Sequence, residues 1–437
     1  MSARAFRMAD DLVASARRKS GVNERNWPFY LDFSLSAFDL EGAEDLTKQA
    51  CGHNYPESDK ARRDIETIRL ETEPISKEIA AARKHFLSNT IAAQHPDLVV
   101  AIPSVILDRH TVNTPVDPGQ IRFIYREIFE ILRRHNICYG VSSRLNQHGR
   151  PHLDNGVKYI GFRTEDPTRR GLHFSTTEKK GFFSFDRKGY AGWSEFSRLS
   201  PDQILALAPD QKTADIFFEK EARDMINSNA SKYRQPDGQA DLQLDRPYIF
   251  VAMQTVNDAV QQLAYVPMLE MLDEVCDTAG KAGFAVVAKR HPLCRSPEVE
   301  AALERHSTSD DFFVSQGSIH KLISSSVAVC TVNSSVGAEA LLHLKPVFVF
   351  GGAPYQQACF VVREKSAFQS MFVPDRLPHD EAFIRKFFHV FRNHYELDIE
   401  DSAFSGKLEE RILDLVNATG DMDNAADTTM RRMGTGQ

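Results

Sequence analysis

From residue 248 to 350 the chain alternates short apolar runs with longer amphipathic stretches. Runs rich in β-branched and aromatic residues predict buried strands over 248–254, 284–290, 311–315, 327–333 and 346–350. Between them apolar residues recur at helical spacing, predicting helices over 260–279, 297–305, 319–325 and 335–343. Strands and helices in this alternation predict an α/β domain with a doubly wound parallel sheet.

Upstream the pattern is less regular. Ile65, Ile68, Ile75, Ile79 and Phe86 predict a long polar helix over 60–88, interrupted at Pro74. A strand over 98–107 is broken by Pro103, and an amphipathic helix over 121–135 leads to a short strand at 137–141. Residues 142–201 mix Gly, aromatics and charges, as loops and short strands carrying a binding surface do. Residues 203–232 read as helical. Gln235-Pro236-Asp237-Gly238-Gln239 then breaks the pattern, so the domain boundary is expected between Asn229 and Asp245. The expected units are 1–240, 241–415 and a polar, disordered tail over 416–437. Residues 351–378 show no clear period, and 381–394 form another amphipathic helix.

A length of 437 residues agrees with two domains. A net charge of −7 argues against a nucleic-acid partner held by bulk charge. No stretch approaches 18 uninterrupted apolar residues, and the N-terminus lacks the apolar core of a signal peptide. A cytoplasmic protein is expected. The basic cluster Arg133-Arg134-His135 reads as a solvated helix end. The six cysteines show no C-x-x-C pair and no zinc spacing, and are expected to be reduced, buried and structural.

In a doubly wound sheet, ligand groups converge where strands end. Three predicted strand ends carry polar residues: Gln254-Thr255-Val256-Asn257-Asp258, Lys289-Arg290-His291-Pro292 and Asn333-Ser334-Ser335. An acid, a histidine with basic neighbours and an anion-binding helix start are what breaking a phosphate–sugar bond requires. Each has a plainer reading. Asp258 and Ser335 are both good helix caps. Lys289 reads equally as a solvated charge, Glu339 as a surface carboxylate, and Trp193 as a core residue.

The pattern Q-x3-D, K-x-H-P and N-S-S-x-G-x-E-A-L-x3-K-P-V resembles the bacterial capsule polysaccharide biosynthesis family. That family contains Kdo transferases using CMP-Kdo. The His-Pro and Ser-Ser elements are also similar to those of bacterial sialyltransferases. The resemblance covers 248–352 best. It implies a GT-B-like fold with two Rossmann-like domains, the N-terminal one binding a glycan or glycolipid acceptor. It implies Asp258 as nucleophile, His291 as the group assisting phosphate departure, and Glu178 as an acid facing the acceptor. It assigns Lys289, Asn333, Ser334, Ser335, Gly337 and Glu339 to the CMP-sugar donor, with Glu339 reaching the ribose. It implies no metal and no cofactor beyond that donor, and contact with the inner membrane or with polysaccharide assembly proteins that is peripheral. The one clear D-x-D, Asp421-Met422-Asp423, falls in the expected tail. Ala259 stands after Asp258 where the family more often has a polar residue. A sialic acid transferase and a noncatalytic nucleotide-sugar-binding partner are the alternatives.

Overall fold

The computed structural model describes residues 21–88, 98–109, 116–144, 157–236, 244–373 and 380–418, with Val13, Ala16 and Arg17 before them. The expected tail from residue 419 lies outside the described residues, as does Asp421-Met422-Asp423. Two compact units are present: Met1–Phe174 with Asp398–Gly420, and a second unit running through Ser175–Leu397.

The first unit holds β1 (Leu98–Pro103), β2 (Tyr139–Arg144), β3 (Lys158–Phe162) and β4 (Gly171–Thr176), adjacent in the order β4-β3-β1-β2. All three pairings are parallel. Every residue of β1 is buried, as expected of a central parallel strand. Pro103 ends β1 and a 3₁₀ turn, Ser104–Leu107, follows. The polar helix expected over 60–88 is two helices, Ser58–Thr72 and Ser76–Ser88, separated by a 3₁₀ turn at Glu73–Ile75. Pro74 sits in that turn, where its missing N–H costs least. Arg134 and His135 both pair with Glu409, so the basic cluster is a tied helix end.

The second unit begins with β5 (Phe182–Asp186) and is built on β6 (Tyr248–Ala252), β7 (Ala285–Lys289), β8 (Phe312–Val314), β9 (Ala328–Thr331), β10 (Val347–Val349) and β11 (Phe360–Val361). Their spatial order is β11-β10-β9-β6-β7-β8, all parallel. Ranked along the chain, this is the 3-2-1-4-5-6 order of a Rossmann sheet, with its switch point between β6 and β9. The α/β, GT-B-like expectation of two Rossmann-like sheets therefore holds. Side chains alternate across β6. Tyr248, Phe250 and Ala252 join the core beneath helices Gln211–Asn227, Val336–Leu342 and Glu381–Val390. Ile249, Val251 and Met253 join the opposite core, beneath Met268–Ala282 and Pro297–His306.

Three expectations need adjusting. The helix expected from 260 begins at Met268, because Pro267 takes its cap position, and a 3₁₀ turn, Ala259–Leu263, precedes it. The units divide at residues 174 and 397 instead of near 240, because helix Gln211–Asn227 packs against Glu381–Val390 within the second unit. Of the cysteines only Cys294 and Cys330 are buried; Cys138 is exposed.

Candidate active site at the carboxyl edge of the second sheet

β6 and β9 deliver their trailing residues to the switch point. There Gln254 and Asn333 form a two-way clamp. Gln254 Nε2 donates to Asn333 Oδ1 (2.9 Å), and the Asn333 backbone N–H donates to Gln254 Oε1 (3.0 Å). Asn333 Nδ2 donates to the Val260 carbonyl (2.8 Å). Val260 belongs to the 3₁₀ turn that Asp258 caps, its N–H donating to Asp258 Oδ1 (3.3 Å). Asn333 thus anchors the turn that presents Asp258. Its amide, expected to meet the donor, is committed to protein groups.

Asp258 itself is exposed. His291 follows β7 and is half-buried. The Leu293 N–H donates to His291 Nδ1 (3.2 Å), so the neutral ring carries its proton on Nε2. Burial holds the His291 pKa below its ordinary value; the positive charge of Lys232 assists and the negative charge of Asp258 opposes. The acid and the imidazole are therefore within electrostatic reach of each other, and the imidazole is neutral at pH 7.

Ser334 and Ser335 are half-buried at the start of helix Val336–Leu342. Ser335 takes the cap position, but its side chain makes no capping bond. The plain cap reading therefore does not account for its hydroxyl. Ser334 Oγ accepts from the Val336 N–H (3.3 Å), while the Ser334 carbonyl accepts from the Tyr355 hydroxyl and from the Gly337 N–H.

Four of the expected site residues face elsewhere. A Cβ on Gly337 would lie 2.4 Å from the Tyr355 hydroxyl, so this glycine makes room for Tyr355 and not for a ligand. Glu339 is fully buried, at 0% exposure, where a surface or ribose-facing carboxylate was expected. Its Oε1 accepts from Ser231 Oγ (3.0 Å), Oε2 has no hydrogen-bond partner, and burial pushes its pKa up to about 8. Lys289 Nζ donates to Gln235 Oε1 (3.4 Å) and to the carbonyls of Gln316 and Gly317, which orders the loop after β8.

Glu178 is also buried, and is no acceptor-facing acid in this structure. It lies in an ion-pair cluster around Arg392, with Arg392 Nη2 2.7 Å from Glu178 Oε1 and Nε 2.7 Å from Glu221 Oε1. Glu396 completes the ring, and Lys179 adds a second cation at Glu221 (2.7 Å). Burial raises the Glu396 carboxyl pKa. The cluster sits at the π-helical turn Phe391–Tyr395.

Two further elements reach the site. The turn Ala191–Trp193 packs against the 3₁₀ turn that Asp258 caps. There a Cβ on Gly192 would lie 2.3 Å from the Gly352 carbonyl oxygen, so only glycine fits. Trp193 is half-buried beside Tyr190, with ring centroids 5.1 Å apart. The segment Ser231–Gln235, which sequence reasoning treated as an approach to the boundary, also contacts Glu339, His291 and Lys289.

Residues 219–395 match the model of a family described as capsule polysaccharide biosynthesis protein. Over those residues the chain is similar to that family. The matched span lies wholly inside the second compact unit and contains Asp258, His291 and the serine pair. No curated protein matches the chain. Among solved structures, the chain is similar to Thermosulfurimonas dismutans KpsC, described as a beta Kdo 2,4 transferase, at 15% identity, covering 67% of this chain and 90% of that one, with a TM-score of 0.40. A second KpsC structure from that organism, described as a beta Kdo 2,7 transferase, is 13% identical over 73% of this chain and 99% of the other, at a TM-score of 0.42. The S. aureus MnaA–UDP structure is 11% identical over 74% and 97%, at 0.30. These distant likenesses assign no activity to this chain. Among the described residues no helix is long and apolar enough to cross a membrane.

Proposed function

We propose that the chain is a glycosyltransferase that moves Kdo from CMP-Kdo to a glycan or glycolipid acceptor in bacterial surface polysaccharide synthesis. The observation that carries this reading is that exposed Asp258, half-buried His291 and the Ser334–Ser335 turn follow the carboxyl ends of the adjacent strands β6, β7 and β9, at the switch point of a 3-2-1-4-5-6 sheet. Such switch points are where open α/β sheets bind nucleotides. The family of residues 219–395 supports the polysaccharide context. The choice of Kdo over another CMP-linked ulosonic acid rests on the motif resemblance.

In the proposed retaining route, an Asp258 carboxylate oxygen attacks the anomeric carbon. The bond from that carbon to the phosphate oxygen breaks, and its electron pair leaves with CMP. CMP departs as a phosphomonoester whose second ionisation lies near pH 6, so it needs a hydrogen-bond donor more than a proton. His291 Nε2–H supplies that donor, and the hydroxyls of Ser334 and Ser335 hold the phosphate. The acceptor hydroxyl then displaces the Asp258 carboxylate from the same carbon, losing its proton to water, and two inversions give net retention. Glu178, Gly337 and Glu339 have no part in this scheme.

Incubation with CMP-Kdo and a panel of acceptor glycans, followed by mass spectrometry, tests the reading. Product gaining one Kdo, dependent on Asp258, is expected. CMP binding without product from CMP-Kdo or CMP-sialic acid would instead leave a noncatalytic nucleotide-binding partner.

A further inference from the structure

Helix Gln211–Asn227 ends at Ser228, and the chain then runs along the carboxyl edge of the second sheet. The Ala230 carbonyl accepts from His320 Nε2 (2.6 Å), and the Ser231 hydroxyl donates to Glu339. Farther along, Gln235 Oε1 accepts from the Ile319 N–H (3.1 Å) and from Lys289 Nζ. Glu339 follows β9, whereas Lys289 ends β7, and β6 lies between those strands. The segment is therefore fastened on both sides of β6, the strand that leads to Asp258. Between its fastenings, the Tyr233 ring stands against His291 at 87°, with centroids 4.8 Å apart.

We infer that Tyr233 is a positioning residue for His291, carried to the site by the fastened segment Ser231–Gln235; this rests on the leaving-group role proposed for His291. Two contacts fix the imidazole. The Leu293 N–H selects which nitrogen accepts, so a ring flipped by 180° loses that bond. Tyr233 packs at right angles, the favoured geometry for aromatic pairs, and resists swinging of the ring about its stem. Together they leave one orientation, with the proton on Nε2. Tyr233 also covers part of the ring from water, while Lys232 and Asp258 supply the charges acting on it. Tyr233 touches no reacting atom in the proposed scheme; it acts through His291.

The test follows His291 by NMR titration in the free protein, and separately measures transfer from CMP-Kdo. In Tyr233→Ala, His291 is expected to titrate at higher pH than in the wild type, because cover is lost. kcat should fall roughly tenfold or more with the donor KM little changed. Tyr233→Phe should restore both, since the ring and not the hydroxyl makes the contact. Tyr233→Leu serves if the alanine variant folds poorly, since it keeps apolar bulk without the ring. An unchanged His291 titration in Tyr233→Ala, or a phenylalanine variant as impaired as the alanine one, overturns the inference. A shifted titration in a protein whose wild type transfers no CMP sugar upholds the Tyr233–His291 relation and overturns the activity instead.

Discussion

Gln254 and Asn333 hydrogen-bond to each other in both directions across the switch point between β6 and β9. Asn333 also holds the turn that Asp258 caps, so the acid and the serine turn share one anchor. Both amides are buried, at 5% and 8% exposure. Replacing Asn333 with Ala strands the Gln254 Nε2 group and releases the Val260 carbonyl, while the backbone N–H of residue 333 still reaches Gln254 Oε1. A loss of about 2 kcal/mol in stability is expected, as for other buried groups left unpaired. Urea denaturation measures it, and an unchanged midpoint would show the clamp to be dispensable. Transfer should fall further than stability alone accounts for, because the Asp258 turn loses its tie.

Asp258→Asn keeps an acceptor for the Val260 N–H but removes the proposed nucleophile. Transfer should drop by at least about a hundredfold, while thermal-shift titration shows CMP binding intact. Turnover near wild type in this variant would take Asp258 out of the chemical step.

Gly337→Ala should destabilise by about 1–3 kcal/mol, the usual range for overpacking. The added Cβ falls 2.4 Å from the Tyr355 hydroxyl and 2.5 Å from its Cε2, so Tyr355→Phe should not rescue it. Melting temperatures of the single and double variants decide the matter.

Stability should decline as pH rises from about 6.5 to about 8. Burial raises the Glu339 pKa to about 8, so above pH 4.5 the folded chain holds a proton the unfolded chain has lost. Burial first, then the charges of His320 and Lys345, lowers His343 to about 4, so the unfolded chain binds the extra proton between pH 4 and 6.5. The two effects oppose each other below pH 6.5; above it the decline continues through Glu339 and through Glu396, whose carboxyl burial raises likewise. Glu339→Gln should flatten the decline between pH 6.5 and 8 in denaturation midpoints. An identical slope in both proteins would assign that decline to other groups.

A fragment covering 175–397 should unfold cooperatively, whereas one covering 241–415 should not. The shorter cut removes Phe196, Ile204, Phe218 and Met225 from one core of the sheet. Circular dichroism under increasing urea distinguishes the two.

Five strands of the second sheet were legible as continuous apolar runs; β6, β9 and β10 are buried throughout, whereas edge strand β8 leaves Val314 exposed. β11 was not, since it pairs through only Phe360 and Val361. The edge residues Asp258, His291, Ser334 and Ser335 were legible as polar breaks after such runs. The fates of Glu339, Gly337 and Glu178 were not, because each is set by a residue distant in sequence: Ser231, Tyr355 and Arg392. The clamp partners were both visible at strand ends, but their pairing depends on β6 lying beside β9, which the alternation of elements leaves open.

The ring of carboxylates around Arg392 sets an order of events during synthesis. Glu178 and Glu221 leave the ribosome long before Arg392, and Glu396 emerges last. Until Arg392 has been made, the two early acids have, among the pairs of this cluster, only Lys179 to offset them, and enclosing them would cost more than their apolar surroundings return. The core beneath the sheet edge that carries Asp258 and the serine turn therefore closes only after Arg392 has joined its acids.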